Sequence, residues 1–174
     1  PPRSTLFPYT TLFRSKGQSA IASAAYRSGE KLHSERYGKT SYYPREVKPE
    51  SFILKPEHAP NWTLNREKLW NEVEEKEKSI RAQLAREIEV ALPIELNKSE
   101  QNNLVKEYIQ QNFVEEGMVG DASIHRDDAN NPHCHIMLTM RPFEKNGEWG
   151  NKQKKGYVYD EDGFSLSFCL CTFS

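Results

Sequence analysis

Cysteine is scarce in this sequence, with three residues in 174, and two of them, Cys169 and Cys171, sit close to the end. Without paired cysteines across the body, a disulfide scaffold is excluded. Long apolar runs are missing too: no stretch approaches the roughly 20 residues a membrane-spanning helix needs. The first residues lack a hydrophobic core followed by a small-residue cleavage site, so no export signal is read and a cytoplasmic location is expected. Neither sign of charge predominates, with 24 basic and 25 acidic side chains and a formal net charge of −1. Taken whole, that balance gives no pull toward nucleic acid. The length suits one domain, since about 150 residues bury roughly 70% of the unfolded surface.

A starting methionine is also lacking. Residues 1–15 read PPRSTLFPYTTLFRS, with TLF occurring twice. Back-translated, this segment spells a widely used short-read sequencing adapter, so it is expected to be an assembly artefact outside the fold. Residues 164–174, FSLSFCLCTFS, carry no charge and follow a polar, turn-rich stretch at 160–163. A frameshift or read-through tail is expected there. The credible domain is therefore 16–163, with a first strand expected to be missing upstream of Lys16.

Within that span, helices are predicted over 18–32, 66–80 and 99–114 from their periodicity and helix formers. Strands are predicted over 51–54, 83–92, 118–125 and 133–140, with a polar, aromatic loop at 39–49. In the strand at 83–92, Leu84, Arg86, Ile88, Val90 and Leu92 should face one way, and Ala85, Glu87, Glu89 and Ala91 the other. Strands interleaved with helices and ending in an antiparallel hairpin predict an α+β fold. Its expected form is a ferredoxin-like antiparallel sheet with helices packed on one face.

The strongest chemical signal is His125 followed by Asn131, Pro132, His133, Cys134 and His135. In a strand, His133 and His135 project from the same face, and Cys134 points to the other. A His-x-His pair alone serves equally well as exposed residues on an edge strand. Adding His125 across a hairpin allows three imidazoles to converge on one divalent ion with open positions left over. Glu87, on the charged face of another strand, is either a residue of the site, as a fourth ligand or by orienting one, or equally a solvated glutamate beside Glu89. Asp127 and Asp128 are expected to shape the turn.

Two further signals concern the first part of the chain. Tyr26 lies in SAAYRSG, where Ala20, Ala24 and Ala25 let a helix approach a sheet closely and Arg27 and Lys31 supply positive charge. By itself it reads as a packing tyrosine. Between 14 and 48, eight basic residues face three acidic ones, a local net charge of +5. Tyr37, Tyr42 and Tyr43 are interleaved with them, the combination a single-strand groove needs for phosphate contacts and base stacking. The candidates for DNA contact are Lys16, Arg27, Lys31, Arg36, Lys39, Tyr42 and Tyr43. Lys145, Lys152, Lys154 and Lys155 form a second basic cluster. The acidic counterweight on the helix at 66–80 is expected to be an ordinary solvated face.

Together, GQSAIASAAYRSGEKL, REKLWNEVE, AREIEVALP and NPHCHIMLTMRPF resemble the MobA/MobL relaxases, conjugative DNA-nicking enzymes of the HUH endonuclease class. The resemblance runs over 16–163. It implies an HUH palm, a nucleophile at Tyr26, and a divalent metal, Mg²⁺ or Mn²⁺, on His133 and His135. His125 ranks ahead of Glu87 as the third ligand. The implied reaction is strand-specific nicking by transesterification, giving a 5′-phosphotyrosine and a free 3′-hydroxyl. The implied partners are single-stranded DNA at an origin of transfer and accessory relaxosome and coupling proteins. A rolling-circle initiator of the same class and a non-catalytic single-strand-binding module are the alternatives. A metal-dependent hydrolase of small molecules has less to support it, because no general base stands out beyond Glu87.

Overall fold

The computed structural model describes residues 9–159 and 165–171; the remainder of the two suspect ends lies outside the described residues. Five strands form one antiparallel sheet: β1 (Tyr9–Phe13), β4 (Glu50–Leu54), β5 (Gln83–Ala91), β6 (Gly120–His125) and β7 (His133–Thr139). Their order is β1-β5-β7-β6-β4, so the histidine strand β7 is central. Three α-helices cover the sheet: α1 (Ala20–Ser28), α2 (Arg66–Lys76) and α3 (Lys98–Ile109). Two small hairpins, β2 (Leu32–Ser34) with β3 (Lys39–Ser41) and β8 (Gln153–Tyr159) with β9 (Ser165–Cys171), complete the described fold. No helix among the described residues is long and apolar enough to cross a membrane.

The α+β antiparallel sheet is as expected, but the helices divide between its two faces. α1 and α2 pack on one face: Ala20, Ile21, Ala24, Ala25, Leu69, Trp70 and Val73 share a core with Leu12, Ala85 and Met137. α3 covers the other, where Val105 and Ile109 join Ile88, Ala122, Ile124, Cys134, Ile136 and Leu138. The reason lies in β7, where Cys134, Ile136 and Leu138 alternate with the buried Met137 and Thr139. A strand apolar on both sides must be covered on both. α3 approaches so closely that a Cβ on Gly120 would lie 2.7 Å from Ile109 Cγ2.

The edge of the sheet beside β5 carries a strand drawn from within residues 1–15. Tyr9–Phe13 pairs along β5, with Thr10 opposite Glu87 and Leu12 opposite Ala85. Its alternation fits the edge position: Leu12 is buried in the α1–α2 core while Thr10 is exposed. A register shift between Leu12 and Phe13 breaks the alternation of β5 at its start, so Leu84 joins the same core as Ala85 instead of following Ile88. Arg14 is buried, donating to the backbone carbonyls of Glu74, Glu77 and Ser79. At the other end, Ser165–Cys171 pairs with Gln153–Tyr159, so the strand β9 runs through the suspect tail.

Two local expectations also change. The first helix stops at Ser28, not at residue 32, because Gly29 takes a left-handed φ of 67° and its N–H caps Ala25 O. The chain then turns into the β2–β3 hairpin, inside the span read as helix and loop. The acidic face of α2 is not simply solvated. Glu74 is fully buried, and its Oε1 accepts from Ser19 Oγ (2.7 Å), Ala20 N (2.7 Å) and Ile21 N (3.3 Å). A carboxylate there satisfies free N–H groups at the N-terminus of α1 and opposes the positive end of its dipole. Glu77 is likewise buried, receiving Arg141 Nε (2.6 Å) and Lys152 Nζ (2.8 Å).

Candidate metal centre

Antiparallel register assembles the histidines. His125, the last residue of β6, lies directly opposite His133, the first of β7, and His135 follows two residues on, opposite Ser123 and Glu89. All three therefore share the α1 side of the sheet. Their ring centroids are 4.9–5.1 Å apart. One nitrogen from each ring lies within 4.8 Å of the others, close enough that the three could hold a single ion. His125 and His135 are buried and His133 is half-buried.

Each ring has one nitrogen committed to a fixed acceptor. His125 Nε2 donates to Arg27 O (2.8 Å), His133 Nδ1 to Asn131 O (2.9 Å) and His135 Nδ1 to Glu87 Oε1 (3.0 Å). A carbonyl or carboxylate can only accept, so each bond fixes the tautomer that leaves the opposite nitrogen as a lone-pair donor. This is the supporting pattern of metal-bound histidines. The donor set thus fits a divalent cation on chemistry as well as spacing. Burial pushes the His125 imidazole down to about 4, against the hydrogen bond to Arg27 O, and the neighbouring His135, Arg45 and His133 add to the shift. The imidazole is neutral at pH 7, the form that can ligate a metal.

Glu87 stands one bond further out. Among the described residues the group that could hold an ion is the three histidines, and Glu87 accepts from His135 and from Arg27 Nε. Burial raises its carboxyl, but these two donors prevail and hold it at about 2. A cleft of about 480 Å³ opens beside the cluster, lined by Thr10, Arg27, Glu87, Glu89, Asn131 and His133 among others. Cys134 points to the opposite core, where burial pushes its thiol up to about 12, so it takes no part. Asp128 shapes the turn before β7, its Oδ1 accepting from Asn130 N.

Close packing of the alanines brings the end of α1 onto this cluster, since Arg27 reaches His125 through its carbonyl and Glu87 through its guanidinium. Tyr26, one residue earlier, is 45% exposed. The guanidinium carbons of Arg27 and Arg45 lie 4.9 and 5.0 Å from its ring centroid, and Tyr43 meets it edge-on at 5.4 Å. Lys16, Lys31, Arg36, Lys39, Tyr42 and Tyr43 are all exposed. Arg27 turns inward instead, half-buried in its ion pair. Sequence reasoning missed the carbonyls of Arg27 and Asn131, which leave no side-chain signature, and Arg45, which it counted only as charge.

The MobA/MobL family model matches residues 18–170. The chain is 36% identical over 169 residues to the conjugal transfer protein TraA of Rhizobium radiobacter, covering 90% of this chain and 15% of TraA. It is 36% identical over 154 residues to a probable mobilization protein MobA of Bifidobacterium longum, covering 86% of this chain and 27% of that protein. A solved structure described as "Molecular Basis of Vancomycin Resistance Transfer in Staphylococcus aureus" superposes with a TM-score of 0.78 at 33% identity. That match covers 85% of this chain and 76% of the solved one. The chain thus spans a small fraction of the length of these curated relatives.

Proposed function

The chain belongs to the MobA/MobL family, and on that premise we propose that it is the nicking domain of a relaxase that acts in plasmid mobilisation. The observation that carries this reading is the convergence of three tautomer-fixed histidines beside the end of the helix that presents Tyr26. His125, His133 and His135 would hold a divalent ion. Such an ion supplies Lewis acidity toward a phosphodiester oxygen. Imidazole donors favour Mn²⁺ over Mg²⁺, which prefers oxygen ligands. Glu87 keeps His135 in the ligating tautomer, and Arg27 neutralises Glu87.

Tyr26 is the proposed nucleophile. Its phenol oxygen forms a bond to phosphorus as the bond from phosphorus to the 3′ oxygen breaks. The proton lost from the tyrosine hydroxyl is balanced by the one gained at the departing 3′ oxygen. The products are a 5′-phosphotyrosine and a free 3′-hydroxyl, and the reverse attack reseals the strand. The exposed Lys16, Lys31, Arg36, Lys39, Tyr42 and Tyr43 offer a path for the single strand, combining phosphate contacts with stacking. Accessory relaxosome and coupling proteins are the partners this role calls for.

The test is incubation with a randomised single-stranded DNA pool and Mn²⁺, followed by denaturing electrophoresis. A covalent protein–DNA adduct is expected, and Tyr26→Phe should abolish it. An adduct formed equally well by Tyr26→Phe would overturn the nucleophile. Oligonucleotide binding without any adduct would favour the single-strand-binding alternative.

A further inference from the structure

A nucleophile must be held near its line of attack, and a misplacement of about 1 Å can cost on the order of 100-fold in rate. Tyr26 is 45% exposed, so little packing restrains its ring. Besides Arg27 of its own helix, whose guanidinium carbon lies 4.9 Å from the ring centroid, what restrains it comes from the loop between β3 and β4. Arg45 Nη2 donates to Tyr26 O (3.3 Å), one of the carbonyls in the last turn of α1 that lack a helical partner. The same guanidinium lies 5.0 Å from the Tyr26 ring centroid, a cation–π distance. Tyr43, two residues before Arg45, closes another side of the ring edge-on. Arg45 Nε is buried without a hydrogen-bond partner, in a guanidinium that lies over the Tyr26 ring. Arg45 also stands near enough to His125 for its charge to be felt there.

We propose that Arg45 is a positioning residue for Tyr26, clamping both the backbone and the ring of the nucleophile beside the histidine cluster. The inference rests on Tyr26 being the nucleophile. It differs from a general DNA-contact role because the contacts Arg45 makes to Tyr26 are to protein, not to the open groove. A planar guanidinium can bond a carbonyl and lie against a ring at once, whereas a lysine ammonium offers only a point charge.

The experiment compares the parent, Arg45→Ala and Arg45→Lys, using an oligonucleotide recovered from the randomised pool. At saturating DNA, Arg45→Ala should slow adduct formation about 30- to 100-fold. The dissociation constants for Mn²⁺ and for the oligonucleotide should stay within about threefold, and Arg45→Lys should recover only part of the rate. A rate within about twofold of the parent overturns the proposal. So does a loss of DNA affinity matching the loss of rate, which would make Arg45 an ordinary phosphate contact.

A second readout needs neither DNA nor metal. Nitration by tetranitromethane, mapped by peptide mass spectrometry, should rise at Tyr26 relative to the exposed Tyr37 when Arg45 becomes Ala. An unchanged ratio overturns the clamp. If the parent forms no adduct, the nucleophile reading fails, while the nitration ratio still decides whether Arg45 holds the ring.

Discussion

The two faces of the central strand β7 do different work, although they alternate residue by residue. On the α3 side, Cys134, Ile136 and Leu138 meet Ile88, Ala122 and Ile124 in an apolar core. On the α1 side, His133 and His135 sit in a row with His125 and Glu87, and the apolar core begins only at Met137 and Ala85. Further along that side, the buried Asp121 is matched by Arg66 (2.7 Å) and Trp70 Nε1 (2.8 Å). A buried polar group is costly unless it is bonded, so this face is organised by polar pairing, with single atoms such as Glu74 Oε2 and Arg14 Nε left over. The first face contributes stability without chemistry. The second places lone pairs, and its stability depends on the polar pairs that surround them.

Adjacent residues of β7 separate these contributions most sharply. Ile136→Ala should destabilise the domain by about 2–5 kcal/mol, lowering the melting temperature by roughly 5–15 °C. Its folded fraction should bind Mn²⁺ as the parent does. His135→Ala should do the reverse, weakening Mn²⁺ binding by at least about 100-fold in calorimetry, with a small change in the melting temperature of the metal-free protein. Glu87 keeps Arg27 as its partner in that variant. If both variants lose stability equally, the division between the faces fails.

Glu87→Gln should weaken Mn²⁺ binding by about 10- to 100-fold, less than the loss of a ligand, because it acts through the orientation of His135. An effect as large as that of His135→Ala would make Glu87 a ligand itself. The smallest effect concerns acidity. The folded-state pKa of His125, about 4, lies below its ordinary value of 6.5. The folded protein therefore binds fewer protons between those values, and stability falls as pH drops through that window. Denaturant unfolding of the metal-free protein at pH 7 and pH 5 should show the loss, and His125→Asn should flatten it. Glu87, held at about 2 against an ordinary 4.5, adds its own loss only below about pH 4.5.

The histidine site was legible because its signal is periodic and local. Two histidines two apart in a strand share a face, and a turn-rich loop of known length returns His125 to them. The helix carrying Tyr26 was legible from its alanines. What was not legible depended on neighbours distant in sequence. Glu74 looks like any residue of a solvated helix face until α1 arrives with three donors. Tyr9–Phe13, set aside on the origin of its codons, pairs along β5 because five extended residues with an inward Leu12 satisfy that edge.

By itself the sequence determined the antiparallel α+β class, the three histidines and the charge-rich, tyrosine-bearing start, because strand and helix periods are set by local backbone geometry. Only the tertiary structure decided the tautomers of the three rings, the placement of Glu87 behind His135, the coverage of both sheet faces and the seat of Arg45 against Tyr26. Apart from the local bond of His133 to Asn131, those features rest on hydrogen bonds and close packing between residues 19 to 98 positions apart. Such contacts exist only once the chain has closed on itself.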